Sequence, residues 1–112
     1  MTLHFDTTTP ERRLWADVAL LAIMDHAKRI HAAERGRKYV RVETSREAVR
    51  IGDVPGEIAS ARRYFRSPDW REVAECAGIN PDPDQAVRAC LLGPDELRRL
   101  TRKNATEADD DE

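Results

Sequence analysis

Apolar and polar positions alternate along this chain mostly with the period of a helix. The first signal is Thr9-Pro10-Glu11, a hydroxyl cap, a proline at the first helical position and an acid in the first turn. Behind it, Leu14, Val18, Leu21 and Ala22 recur at i, i+4, i+7 and i+8, with Trp15, Ile23 and Ile30 widening the stripe. The pattern predicts a long helix ending near Gly36, with Asp25 and Arg29 placed to pair one turn apart. Its wide apolar face has two uses: the domain core, or a contact with the same helix of a second subunit.

The pattern then changes. Residues 37–56 hold Tyr39, Val40 and Val42, then Val49 and Ile51, with a VPG sequence that reads as a turn. A short β-hairpin or an ordered loop is expected there. Helical spacing returns from Glu57, where Ile58, Ala61 and Phe65 share a face with Tyr64 beside them and Arg62, Arg63 and Arg66 point elsewhere. Ser67 closes that helix and caps the next, with Pro68 at its first position and Trp70, Val73, Ala74 and Ala77 as its apolar stripe. Gly78 ends it and Ile79 folds back on the last turn. A fourth helix opens at Asn80-Pro81 or, by preference, at Asp82-Pro83, where Gln85 completes a capping box; Val87, Cys90 and Leu91 face inward. Gly93-Pro94 stops it, and residues 95–103 suit a short last helix. The fold class is therefore mainly α: a small bundle of four to five helices with a helix-turn-helix-like corner at 68–92.

Charge changes the picture more than composition does. At 112 residues, 40% hydrophobic and 36% charged, the chain is one well-solvated globular domain. It has no apolar run of membrane-spanning length and no signal-peptide pattern, so a cytoplasmic protein is expected. The net charge of −2 is unevenly spread. Residues 105–112 are an acidic tail, expected to be disordered, whose Asp109, Asp110 and Asp111 are suited to a partner. Without that tail the domain, residues 1–104, is net positive. Residues 37–66 alone hold eight cations against four acids, and arginines outnumber lysines 16 to three in the chain. Arginine suits phosphate contacts, although biased codon usage gives the same excess.

Little here points to catalysis. There is no glycine-rich phosphate loop, nucleophile elbow or paired-histidine metal motif, and no cofactor is implied. Asp25 and His26 are adjacent on a helix, so they do not face each other. Cys76 and Cys90 lie on apolar helix faces and are expected to be buried free thiols, not metal ligands. Nucleic-acid binding has the better support, through Arg37, Lys38, Arg41, Arg62, Arg63 and Arg66. The corner at 68–92 is a poorer DNA reader. Its second helix opens with Asp82, Asp84 and Gln85, and only Arg88 favours DNA. A structural corner is the preferred reading.

The run ARRYFRSPDWREVAECAGINPD (61–82), preceded by LWADVALLAIMDHA (14–27), resembles small phage-encoded proteins at the small-terminase position of prophages and gene transfer agents. The matching positions are Ala61, Arg62, Arg63, Tyr64, Ser67, Asp69, Trp70, Val73, Ala74, Ala77, Gly78, Ile79, Asn80 and Pro81, about a third of the chain with the first helix. The chain departs from the family pattern in the extra Pro-Asp before Gln85 and in the long basic segment 37–56. The resemblance implies a non-enzymatic DNA-packaging adaptor that forms a homo-oligomer, often a ring. Such a protein binds the double-stranded DNA to be packaged and engages the large terminase; the positive balance of residues 37–66 leads us to expect that binding to be weak and largely non-specific. Leu14, Trp15, Val18, Leu21 and Ala22 would then form the oligomer interface. A helix-turn-helix transcription regulator and a protein-interaction module without DNA binding are the alternatives.

Overall fold

The computed structural model describes residues 9–92. Four helices, α1 (Pro10–Glu34), α2 (Val54–Phe65), α3 (Pro68–Ala77) and α4 (Pro83–Leu91), surround one core, with a hairpin of β1 (Tyr39–Val40) and β2 (Val49–Arg50) between α1 and α2. The expected helix at 95–103 and the acidic tail lie outside the described residues.

Local caps set most boundaries. Thr9 Oγ1 accepts a hydrogen bond from Arg12 N (3.1 Å) at the start of α1. Ser67 Oγ donates to Tyr64 O at the end of α2 (2.6 Å) and accepts from Trp70 N at the start of α3 (3.3 Å). Gly78 takes the left-handed conformation, φ 74°, so that Gly78 N reaches Glu75 O and Ile79 N reaches Ala74 O. That pair of bonds satisfies the carbonyls at the end of α3 and turns the chain sharply toward α4.

Two local readings are corrected. The VPG sequence is not a turn but the first turn of α2, because Asp53 caps it by accepting from Gly56 N (2.9 Å) and Pro55 suits the early helical position. The capping box at α4 is half formed. Asp82 Oδ1 accepts from Asp84 N, but Asp82 N donates to Asn80 Oδ1 (3.0 Å) and so leaves no donor for Gln85.

The face of α1 that builds the core keeps Ile23 and Ile30 of the expected stripe but not its leucines and valine. Ala16, Ala19, Ile23, Met24, Ala27 and Ile30 are buried, whereas Leu14, Val18 and Leu21 are 63%, 37% and 40% exposed. Both stripes have helical spacing, and side-chain size decides between them. α1 packs against α2, α3 and α4, and alanines let those helices come close. Cys90 Sγ of α4 lies 3.6 Å from the backbone oxygen of Ile23. Leucines at the crossing would hold the helices apart. Trp15 and Ala22 lie at the margin of the core. Leu91, expected inside, is exposed while Ala86, Val87, Ala89 and Cys90 are buried.

The centre of the core is aromatic. Phe65 and Trp70, both 1% exposed, meet edge-on with centroids 4.8 Å apart, and Tyr64 and His26 extend the cluster. The Pro68 start of α3 thus brings the last turn of α2 and the first turn of α3 onto one pair of rings.

Candidate nucleic-acid interface

The hairpin is short, and two carboxylates mount it on the helices. Asp25 of α1 accepts from Glu43 N (2.9 Å) and from Thr44 Oγ1, and Lys28 pairs with the Glu43 carboxylate. Asp25 therefore does not pair with Arg29 as its i, i+4 spacing suggested. Arg29 Nε instead donates to Glu57 Oε1 (3.0 Å), and Glu57 Oε2 accepts from Gly52 N (2.7 Å) just beyond β2. Glu57 is the one buried charged side chain among the described residues. A carboxylate with an arginine and a backbone donor has the partners that burial demands. Val42 and Ile51 pack under the ribbon, and Ile51 N donates to Lys38 O (2.9 Å).

Held in this way, the hairpin turns its cations outward. Arg37, Lys38 and Arg41 are exposed, as are Arg46 and Arg50. Arg62, Arg63 and Arg66 are also exposed, on the side of α2 opposite Ala61 and Phe65. Among the described residues, none of the six expected phosphate-binding cations has an ion-pair partner. They form two groups and not one, since β1 packs on α1 and the backbones of both strands stay clear of α2. A groove beside the second group is lined by Arg66, Ser67, Arg71, Asn80 and Asp82. Arg71 is a further cation there that the sequence pattern did not single out.

Comparison with known proteins adds nothing to this geometry. No family model, curated protein or solved structure matches the chain.

The expected oligomer residues are divided by the fold. Leu14, Val18 and Leu21 form an outward apolar stripe, while Trp15 and Ala22 are largely engaged with the core of their own chain. Asp109, Asp110 and Asp111 lie outside the described residues. In the corner, Asp82, Asp84 and Arg88 are exposed and Gln85 is half-buried, so the start of α4 presents two acids to its surroundings.

The remaining chemistry is structural. Among the described residues no three metal-ligating side chains converge, and no helix is long and apolar enough to cross a membrane. Both cysteines are free. Burial pushes the Cys90 thiol up to about 12, while Cys76 is only half-buried, less than its apolar position suggested. Burial also raises the Tyr64 hydroxyl, helped by the Asp69 charge.

His26 and Asp25 do not form a dyad. The Asp25 carboxylate serves the hairpin, and His26 Nδ1 is buried without a hydrogen-bond partner among the described residues. His26 sits against Tyr64 and Phe65 with centroids 5.2 and 5.3 Å away. Burial lowers its pKa and nearby Arg29 lowers it further, against the opposing pull of Asp25 and Glu57. The folded state therefore prefers neutral His26, and the unfolded chain takes up the proton more readily. The contribution of His26 to stability is present above its ordinary value of 6.5 and is lost as the pH falls below it. Melting temperatures measured across that range should fall on acidification, and His26→Phe should flatten the decline. An unchanged slope in the variant would assign it to other groups.

Proposed function

We propose that this chain is a non-enzymatic adaptor of small-terminase type. It binds double-stranded DNA weakly and with little sequence preference, assembles with copies of itself, and engages a large terminase. One observation carries the reading: six cations on the hairpin and the end of α2 stand exposed, with no ion-pair partner among the described residues. Charges presented in this way suit phosphates, whose neutralisation releases counterions and gives affinity without base readout.

The assembly half of the reading draws on the Leu14, Val18 and Leu21 stripe. Three large apolar side chains exposed at i, i+4 and i+7 are the kind of surface that a second copy covers. The resemblance of residues 61–82 to small terminases supplies the packaging context and the large-terminase partner. In that region Trp70, Ala74, Ala77 and Ile79 are buried and Ser67 and Gly78 act as cap and turn, so the resemblance speaks for the corner and not for particular DNA contacts.

A transcription regulator is the second reading, favoured by the α3–α4 corner. Exposed Asp82 and Asp84 at the start of α4 weigh against it, because they place like charges where a reading helix meets DNA.

Two measurements on the full chain test the proposal. A native mass should give a ring-sized oligomer; a dimer would favour the regulator, and a monomer would overturn the assembly claim. Duplex binding should be salt-dependent. The Arg62→Gln, Arg63→Gln, Arg66→Gln triple variant should lower the slope of log affinity against log salt by about three. An unchanged slope would remove α2 from the interface.

A further inference from the structure

The two groups of cations differ in one respect. The group on α2 consists of guanidinium side chains alone, whereas the hairpin carries an aromatic ring among its charges. In the antiparallel register Tyr39 lies opposite Arg50, and Val40 opposite Val49. Strand alternation sends Val40 and Val42 toward α1 and leaves Tyr39 and Arg41 on the outer face. Tyr39 is 56% exposed. Arg37 and Arg41 share its parity along the chain and Arg50 lies across the ladder, all exposed. Cross-strand partners of this kind keep their side chains about 5 Å apart at Cβ, so ring and guanidinium can address one ligand together.

The segment's acids are Glu43, Glu47 and Asp53, all exposed, and Asp53 is engaged as the cap of α2. Glu43 is drawn back to Lys28, and its backbone N–H is held by Asp25. The ribbon is fixed at its loop by Asp25 and at its exit by Glu57, so its outer face is in place before any ligand arrives.

A paired duplex offers such a surface only phosphates and base edges, since its base faces are stacked on one another. An unpaired strand offers phosphates and an open base face at the same spacing, and a tyrosine ring among cations matches both. We propose that the outer face of the hairpin is a binding site for single-stranded nucleic acid, with the Tyr39 ring stacked on an unpaired base and Arg37, Arg41 and Arg50 on the flanking phosphates. This goes beyond the duplex reading, which uses the hairpin cations without the ring.

The test uses the full chain, fluorescence anisotropy at low salt, a labelled oligothymidylate and a labelled duplex of equal length. Tyr39 is exposed and outside the core, so its replacement leaves the fold intact, and circular dichroism checks this. Tyr39→Ala should weaken oligothymidylate binding about tenfold and leave duplex binding unchanged, whereas Tyr39→Trp should retain the single strand. The proposal is overturned if the unmodified protein does not bind oligothymidylate, if Tyr39→Ala binds it as tightly as the parent, or if both probes weaken equally. The triple arginine variant of α2 separates the two readings. Loss of duplex binding with the single strand retained supports two distinct sites. Retained duplex binding removes α2 from the packaging proposal and leaves the hairpin result standing.

Discussion

Trp70→Ala should leave the domain largely unfolded at ambient temperature. The side chain is 1% exposed and meets Phe65 edge-on, in contact range of Tyr64, at the point where α2 gives way to α3. Removing a fully buried aromatic costs about 3–5 kcal/mol, from lost transfer free energy and from the cavity left behind. A small domain has total stability of about 5–15 kcal/mol, so the loss consumes much or all of it. Repacking offers little relief, because the surrounding core is rich in small residues: Ala61, Ala74 and Ala77 have no longer side chain to extend into the void. Thermal melts by circular dichroism should show a broad transition or none. Trp70→Phe should do markedly better. It keeps a ring against Phe65 and removes the indole Nε1, which is buried without a partner among the described residues. A cooperative Trp70→Ala melt close to that of the parent would show that the ring pair is not the centre of the core.

The second large effect belongs to Glu57. Glu57→Ala should lower stability by about 2–3 kcal/mol, less than for a fully enclosed ion pair because the Arg29 side chain is 30% exposed. The loss has two parts. Arg29 is left half-buried with its Nε–H unmatched, and Gly52 N loses its acceptor beside β2. Denaturant midpoints give the size, and the double-mutant cycle with Arg29→Ala gives the coupling. The double variant should lose clearly less than the sum of the singles, since the charge stranded by either change is then absent. Glu57→Gln should fall between parent and alanine, retaining an acceptor for Gly52 without the charge for Arg29. Strict additivity in the cycle would show that the two side chains act independently.

The sequence made legible what is decided within one turn of chain. Thr9 before Pro10, Ser67 before Pro68 and Gly78 before Ile79 each place their partner atoms within a few residues, and each behaves in the fold as its position suggests. The hairpin, expected as either strands or an ordered loop, followed from Tyr39, Val40 and Val49. What stayed hidden depends on distance along the chain. Asp25 meets Glu43 N across 18 residues and Arg29 meets Glu57 across 28, so nothing local marks those side chains as anchors. The choice between the two stripes of α1 was hidden for another reason. Periodicity ranks residues by apolarity and favours Leu14, Val18 and Leu21, whereas close helix packing selects by size and takes Ala16, Ala19 and Ala27. In the candidate interface the six cations could be named from sequence, but their division between two elements, and the ring beside one group, required the fold.

The mounting of the hairpin has a further consequence for how the molecule meets a charged surface. Asp25, Glu43 and Glu57 are engaged with internal partners, while Arg37, Arg41, Arg46 and Arg50 stand outside. Pairing, and depth only at Glu57, thus sets three of the acids apart from the cations that the linear sequence mixes with them, while Glu47 and Asp53 stay at the surface. A chain with a net charge of −2 carries a positively charged prow. In the field of a polyanion, unpaired cations held at a surface turn a body toward contact before it touches.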